Sequence, residues 1–283
     1  MNVLPYLALL RPFTLIYPFV AVFSGGMMSG IVSWRILLAA LAASTMNGAS
    51  NTINQYYDVD TDRINKPYRP IPSGRISRAS AGAYGIILYL ASIVMAWFAG
   101  FQFFAISLVA AVLTLAYSVP PARTKARGFL GNLTLSVTRG LVPLVAGWSV
   151  EGGLLNAEPW ILGSILALFV FGANTSKDFS DVRGDRACKV RTIPVIYGNS
   201  SAARIMLPFL VFPFMLMPLF IWAGLIDILI LPITLLSLWG LWVSRTLLKN
   251  PERLSLERNH PSWIHMYLMM TVFVIGAGLA SLL

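Results

Sequence analysis

Six of the 11 carboxylates in this 283-residue chain fall in two short clusters, and their spacing first suggests chemistry. In NTINQYYDVDTDRINKPYRP, Asn54, Asp58 and Asp62 recur every four residues, so one helical face carries all three with a drift of about 40° per step. Asp60 points off that face and reads as a solvated or supporting residue. In NTSKDFSDVRGDRACK, Asp178, Asp181 and Asp185 are spaced by three and then four and also share a face, with Asn174 and Lys177 at its edge. Carboxylates so close together repel one another unless cations neutralise them. Hard oxygen ligands select Mg²⁺ or Ca²⁺. Mg²⁺ takes one or two carboxylates and completes its shell with water and phosphate oxygens. Two acidic helix ends facing one cavity would therefore make a metal-bridged diphosphate site. A single acidic cluster at a helix end is usually a solvated cap; two at equivalent places, each followed by Arg and Lys, argue for a shared role. The first cluster imitates the opening of a calcium loop, but Arg63 stands where that loop needs glycine and Arg69 where it needs the bidentate glutamate.

The elements that must position these residues are helices in lipid. The chain is 57% hydrophobic and only 11% charged, with a mean hydropathy of +0.73. Ordinary soluble domains carry about 25% charged residues, and disordered chains are polar and poor in aromatics, so both classes are excluded. Seventeen prolines and 22 glycines exclude a coiled coil. Runs such as ILLAALAA and ILGSILALFVFG do not alternate as a membrane barrel requires. The expected class is all-α: a polytopic membrane protein with nine spans at 12–31, 36–53, 80–99, 101–119, 129–149, 159–176, 204–223, 225–244 and 263–282. Val3 to Leu10 is apolar but short and reads as a lead-in helix along the interface, with no signal peptide expected. Cys188 is alone, which leaves neither a disulfide framework nor a cysteine metal site.

The formal charge of +10 is placed by topology, without a nucleic-acid partner. Basic residues crowd the loops after the second, fourth, sixth and eighth spans: Arg63 to Arg78, Arg123 to Arg127, Lys177 to Arg191, and Arg245 to Arg258. The opposite loops hold Arg35, Glu151, Glu158 and Asp227. Positive loops stay in the cytoplasm, so a cell-membrane protein with its amino terminus and acidic mouth inside is expected. Asp58 and Asp178 are 120 residues and four spans apart. That offset suggests one domain, 1–283, made of four-helix halves 12–119 and 129–244 plus a last helix 263–282.

The string NQYYDVDTDRINKPYRPIPSGRIS resembles the first signature of the UbiA superfamily of intramembrane prenyltransferases, and KDFSDVRGDRACKVRTIPVIYG resembles the second. YSVPPARTKARGFLGN, from Tyr117 to Asn132, is similar to the family's loop after the fourth span, and RPFT at Arg11 to Thr14 also fits. Neither acidic cluster has the DG and AR elements that precede the aspartates of lipid-head-group transferases. The resemblance implies nine helices around a central cavity with a cytoplasmic cap, and Mg²⁺-dependent transfer of a prenyl chain from a prenyl diphosphate to an acceptor. It implies that Asn54, Asp58 and Asp62 hold one face of a Mg²⁺–diphosphate and that Asp178, Asp181 and Asp185 hold the other. The first motif begins NQ where ND is commoner, so one polar contact there differs. INKPYRPIPSGRIS most resembles members that handle geranylgeranyl chains, either on geranylgeranylglyceryl phosphate or on chlorophyllide, and KDFSDVRGD tilts toward the first. Quinone-precursor prenyltransferases come third. A transporter is the rival from another class, opposed by charges concentrated at one mouth.

Single residues complete the expectation. Leaving-group charge must be neutralised by metals and fixed cations, and Lys177, Arg69, Arg123 and Lys125 flank the clusters, although positive-inside bias also accounts for each. Tyr117 would face an allyl cation with its ring, act through its hydroxyl, or merely anchor at the interface. Arg139, about ten residues into its span, would cost about 3 kcal/mol facing lipid and so should face the cavity, with Asn132 on the same helix. His260 and His265 match no metal spacing and belong at the interface. Gly26 and Gly30 have small-xxx-small spacing for close helix contact.

Overall fold

The structure is a computed structural model that describes residues 3–255 and 261–282; Arg258 and His260 lie outside them. Among the described residues there is no strand, only an isolated bridge between Arg127 and Arg191. The chain opens with α1 (Leu4–Leu10) and α2 (Phe13–Met27), which meet at a 52° bend around Arg11 and Pro12. There follow α3 (Trp34–Tyr57), α4 (Val59–Asn65), α5 (Arg78–Ala99) and α6 (Phe101–Ser118). Next, α7 (Phe129–Ser136) and α8 (Val142–Trp148) are joined by a π-helical turn at Val137–Leu141. After α9 (Glu158–Ala173) come α10 (Val182–Ala187), α11 (Ile193–Tyr197), α12 (Asn199–Met215), α13 (Met217–Trp222), α14 (Leu236–Lys249) and α15 (Pro261–Ala280).

Among the described residues, seven helices are long and apolar enough to cross a membrane, eight if the bent α1–α2 pair is one span. The expected nine differs by α3. Its 24 residues reach about 36 Å at 1.5 Å each, long enough to span. It falls short on composition because Asn47, Ser50, Asn51, Asn54 and Gln55 make it polar. Those groups are spent internally: Asn47 donates to the Thr14 carbonyl (2.9 Å), Asn51 to the Leu10 carbonyl (2.9 Å) and Gln55 to the Leu9 carbonyl (2.8 Å). The polar residues of α3 thus satisfy the Leu9 and Leu10 carbonyls freed at the α1–α2 bend and the Thr14 carbonyl that Pro18, with no N–H, leaves open inside α2, where lipid offers no substitute. Ser33 caps the start of α3 and Ser77 that of α5, each accepting from the backbone three residues on. The lead-in helix α1 does more than lie along the interface. Its Leu9 is fully buried with Val59, Ile71, Ile76 and Ala81, which fastens the loop after α4 to the bundle.

The main core joins α9, α12, α14 and α15 through Phe169, Met206, Phe214, Val243, Met269 and Phe273. Elsewhere helices approach through glycine. A Cβ on Gly147 would lie 2.1 Å from the Val22 carbonyl oxygen, and one on Gly25 2.5 Å from that of Leu144, so α2 and α8 touch backbone to backbone. Of the two glycines expected to mediate packing, Gly26 does so against the Ile36 side chain. Gly30 does not: it has φ +74° and nothing within 4 Å of its Cβ position, because it turns the chain after α2.

Candidate active site

The two acidic segments come from opposite halves of the chain and meet at one end of the bundle. Asp58 sits between α3 and α4 with φ −98°, outside both helices. The ladder nonetheless continues through it: Asp58 donates its backbone N–H to Asn54 (3.0 Å) and Asp62 donates to Asp58 (2.8 Å). The four-residue register therefore survives the break, and Asn54, Asp58 and Asp62 all line one cleft. Asp60 is exposed and paired with exposed Arg63 at 2.8 Å. An exposed pair of this kind contributes about 0–1 kcal/mol; Asp60→Ala is expected to keep the catalytic rate within about twofold, checked by initial-rate assay.

The second segment differs from a single α-helix. Asn174–Lys177 and Phe179–Asp181 are 3₁₀ turns that lead into α10. Three residues per turn keep Asp178 over Asp181, and the α-helical start of α10 then brings Asp185 round. All five aspartates, with Asn54, Tyr117, Lys125, Lys177, Arg69 and Arg139, line a cleft of about 760 Å³.

Four of the five carboxylates are engaged by cations. Asp58 pairs with Lys125 and with Arg123 (3.2 Å), Asp181 with Lys66, and Asp178 with Lys177 (2.7 Å). Arg69 donates to both oxygens of Asp62 at 2.7 Å. Asp185 has no ion pair among the described residues and accepts only from Thr192 at 3.4 Å. Burial pushes the Asp62 carboxyl above its ordinary value even beside Arg69, and burial likewise lowers the Lys66 ammonium against the pull of Asp181. Lys177 also donates to the Tyr117 hydroxyl (3.0 Å) and lies 5.7 Å from the centre of that ring.

No three His, Cys, Asp or Glu side chains among the described residues stand close enough to enclose an ion unaided. The donors are all oxygen and are spread around the cleft. That arrangement suits an ion that takes one or two carboxylates and draws the rest of its shell from water and phosphate. Asn174 lies apart from the cleft. It borders a cavity of about 330 Å³ with Arg139, Lys177 and Tyr267, and its buried amide nitrogen has no partner there. Asn132 does not reach the cleft either; it pins α7 to α9 by donating to the Phe171 carbonyl (2.7 Å) and to Thr175 (2.8 Å). Arg139, on the π-helical turn, faces inward. Its carbonyl accepts from the Tyr17 hydroxyl (2.6 Å), and beneath it opens an apolar cavity of about 780 Å³ bordered by Tyr17, Phe103, Leu135 and Val142.

Two residues escaped the reading of the sequence. Asn65 receives the Gly184 N–H and donates to the Asp181 carbonyl, both at 2.8 Å, so it clamps α4 to α10 and holds the two acidic segments together. Its neighbour Lys66 supplies the partner of Asp181. The signal was present: Asn65 follows Asp58 by seven residues and so continues the acidic face. Asn65→Ala is expected to slow turnover by roughly 10–100-fold, as loss of a residue that orients ligands does, with KM for the diphosphate rising alongside, read from steady-state kinetics.

The model of the UbiA prenyltransferase family matches residues 12–280. The digeranylgeranylglyceryl phosphate synthase of Methanothermobacter thermautotrophicus is 30% identical over 279 residues, covering 97% of this chain and 96% of its own. Its counterpart in Methanosphaera stadtmanae is 32% identical over 237 residues, 82% of this chain and 84% of that one. The bacteriochlorophyll synthase 33 kDa chain of Rhodobacter capsulatus is 31% identical over 208 residues, 70% of this chain and 68% of its own. Among solved structures, a UbiA homolog from Archaeoglobus fulgidus bound to DMAPP and Mg²⁺ superposes with a TM-score of 0.78 at 22% identity, over 98% of each chain.

Proposed function

Since the chain belongs to the UbiA prenyltransferase family, we propose that it is the Mg²⁺-dependent enzyme that moves a geranylgeranyl group from its diphosphate to geranylgeranylglyceryl phosphate. The observation that carries this reading is the convergence of five aspartates and cationic side chains on one cleft, which shares Ser50, Leu135 and Arg139 as a border with an apolar cavity. The synthases of that name match this chain over up to 97% of its length, against about 70% for the bacteriochlorophyll synthases. A transporter is set aside by membership of an enzyme family. The basic loops favour a cell-membrane location with the cleft and the amino terminus on the cytoplasmic side. The meeting of α4 with α10 supports reading the chain as one domain of two four-helix halves, 12–119 and 129–244, closed by the helix at 263–282.

Mg²⁺ would be held by Asn54, Asp58 and Asp62 on one side and by Asp178, Asp181 and Asp185 on the other, and when bound it supplies neutralisation of the diphosphate charge. Lys125, Lys177, Arg69 and Arg123 now rest on those carboxylates, from which they turn to donate to the phosphate oxygens. The allylic C1–O bond breaks, and its electron pair leaves with the diphosphate, whose growing charge these cations stabilise. The prenyl chain lies in the apolar cavity below Arg139. Tyr117, fixed by Lys177, presents its ring to the electron-poor carbon. The acceptor hydroxyl oxygen then bonds to C1 and loses its proton.

The test is product formation by the purified protein with geranylgeranyl diphosphate, with and without Mg²⁺, against geranylgeranylglyceryl phosphate, chlorophyllide and hydroxybenzoate in parallel. The expected result is metal-dependent ether formation with the glyceryl phosphate at the highest kcat/KM. Preference for either other acceptor overturns the assignment.

A further inference from the structure

Of the three residues that border both the acidic cleft and the apolar cavity, only Arg139 is charged, and among the described residues no other charged side chain lines that cavity. It is also the one charged residue of the 20-residue span Phe129–Trp148, where it stands near the middle. Ionisable side chains at such depth are costly and serve a site. No carboxylate offsets the cost. The five aspartates of the cleft pair with Lys66, Arg69, Arg123, Lys125 and Lys177 or stand alone, and Arg139 forms an ion pair with none of them. Its guanidinium makes one long contact, 3.4 Å from Nη1 to the Tyr267 hydroxyl, and no other hydrogen bond among the described residues. The backbone that carries it is nonetheless fixed. The Tyr17 hydroxyl donates to the Arg139 carbonyl at 2.6 Å, and a Cβ on Gly140 would lie 2.3 Å from the Ala167 Cα. The π-helical turn is thus held against both α2 and α9. Such turns recur at functional sites. This one sets a cation with vacant donors where a polar cleft gives way to an apolar cavity.

A prenyl diphosphate has a boundary of the same kind. Its diphosphate suits the cleft and its chain suits the cavity. The atoms between are C1 and the oxygen that bridges C1 to phosphorus. We propose that Arg139 donates a hydrogen bond to this bridging oxygen and is a catalytic residue of the transfer. The role rests on the reading above that a prenyl diphosphate is the donor. In the intact ester the bridging oxygen is a weak acceptor, because its lone pairs are delocalised toward phosphorus. As the C1–O bond breaks, both electrons stay on this oxygen, which becomes a charged oxygen of the free diphosphate. A donor aimed there stabilises the transition state more than the ground state. The guanidinium keeps its protons throughout. The acceptor oxygen takes over the bond to C1 and loses its own proton. Lys125, Lys177, Arg69 and Arg123 do not line the apolar cavity, so none of them stands at this junction.

The test uses the full-length protein in nanodiscs of neutral lipid at saturating Mg²⁺, with the acceptor that the preceding experiment selects. Donors are geranylgeranyl diphosphate and the geranylgeranyl esters of methylenebisphosphonate and difluoromethylenebisphosphonate, the first a more basic leaving group than the second. Arg139→Gln is expected to lower kcat for the diphosphate by roughly 10²–10³-fold, the scale of one lost donor to developing charge. Kd for an unreactive thiolodiphosphate analogue should stay within about twofold, since the contact forms in the transition state. The loss should be greater with the methylene ester than with the difluoromethylene ester, because the more basic leaving group depends more on the donor. The melting temperature should not fall, as no ion pair is broken. Arg139→Lys keeps the charge without the planar fork and should show a smaller loss in the same order; it carries the comparison if the glutamine variant does not fold. An equal loss with both esters overturns the proposal in favour of a structural role. A rise in Kd that accounts for the whole loss overturns it in favour of simple anion binding. Unmodified protein that releases no diphosphate in a Mg²⁺-dependent way overturns the donor reading and the proposal together; release that the variants retain in full overturns the proposal alone.

Discussion

Asp58→Asn is expected to lower the rate of prenyl transfer by roughly 10²–10³-fold, the scale on which one charge-stabilising contact at a reacting centre acts, while the protein stays folded. Its side chain is only 5% exposed and engages both Arg123 and Lys125. Removing it outright would strand Lys125, 11% exposed, and the more open Arg123, 29% exposed, at a cost of up to about 3 kcal/mol. The asparagine keeps the shape and an oxygen that accepts from those cations, but it lacks the charge that a divalent ion requires. Initial rates at saturating diphosphate, beside a melting curve in the same detergent, separate the two effects. A variant that works at near wild-type rate would remove Asp58 from the proposed metal set.

Gly147→Leu should have the largest effect on the fold itself. The first atom of any side chain at this position would lie 2.1 Å from the Val22 carbonyl and 2.8 Å from the Gly26 nitrogen. These are backbone atoms of α2, and no rotamer change moves them aside. The helices must part, and α2 also carries Thr14 and Tyr17 against the apolar cavity. Overpacking of this kind costs about 3 kcal/mol or more. The measurements are melting temperature and yield of monodisperse protein after extraction, and an unchanged melting temperature would refute the close contact.

The acidic face at Asn54, Asp58 and Asp62 was legible because a four-residue period survives even where α3 hands over to α4. The second face was legible for a different reason. Its spacing of three and four was read as α-helix, yet 3₁₀ turns place Asp178 above Asp181 equally well. Local patterns of this kind reveal which groups share a side of an element. They do not reveal which element comes opposite. Lys66 meets Asp181 across 115 residues, and Asn65 meets Gly184 across 119, through tertiary contacts that no local period encodes. Glycines failed similarly: the spacing of Gly26 and Gly30 looked like a packing motif, but Gly25 and Gly147 form the backbone-to-backbone seam of α2 and α8 because each faces the other's helix. The polar character of α3 is the same lesson at the scale of a span, since its amides serve carbonyls on another helix.

The π-helical turn at Val137–Leu141 carries a consequence for how such a chain can change over generations. One surplus residue there offsets the two ends of a single span by about 100°. The end that bears Asn132 is thereby clocked to α9, and the end that bears Gly147 to α2. Drift can exchange side chains along this span, but deleting or adding one residue would unlock one end or the other. Length, more than composition, is the heritable constraint on this stretch.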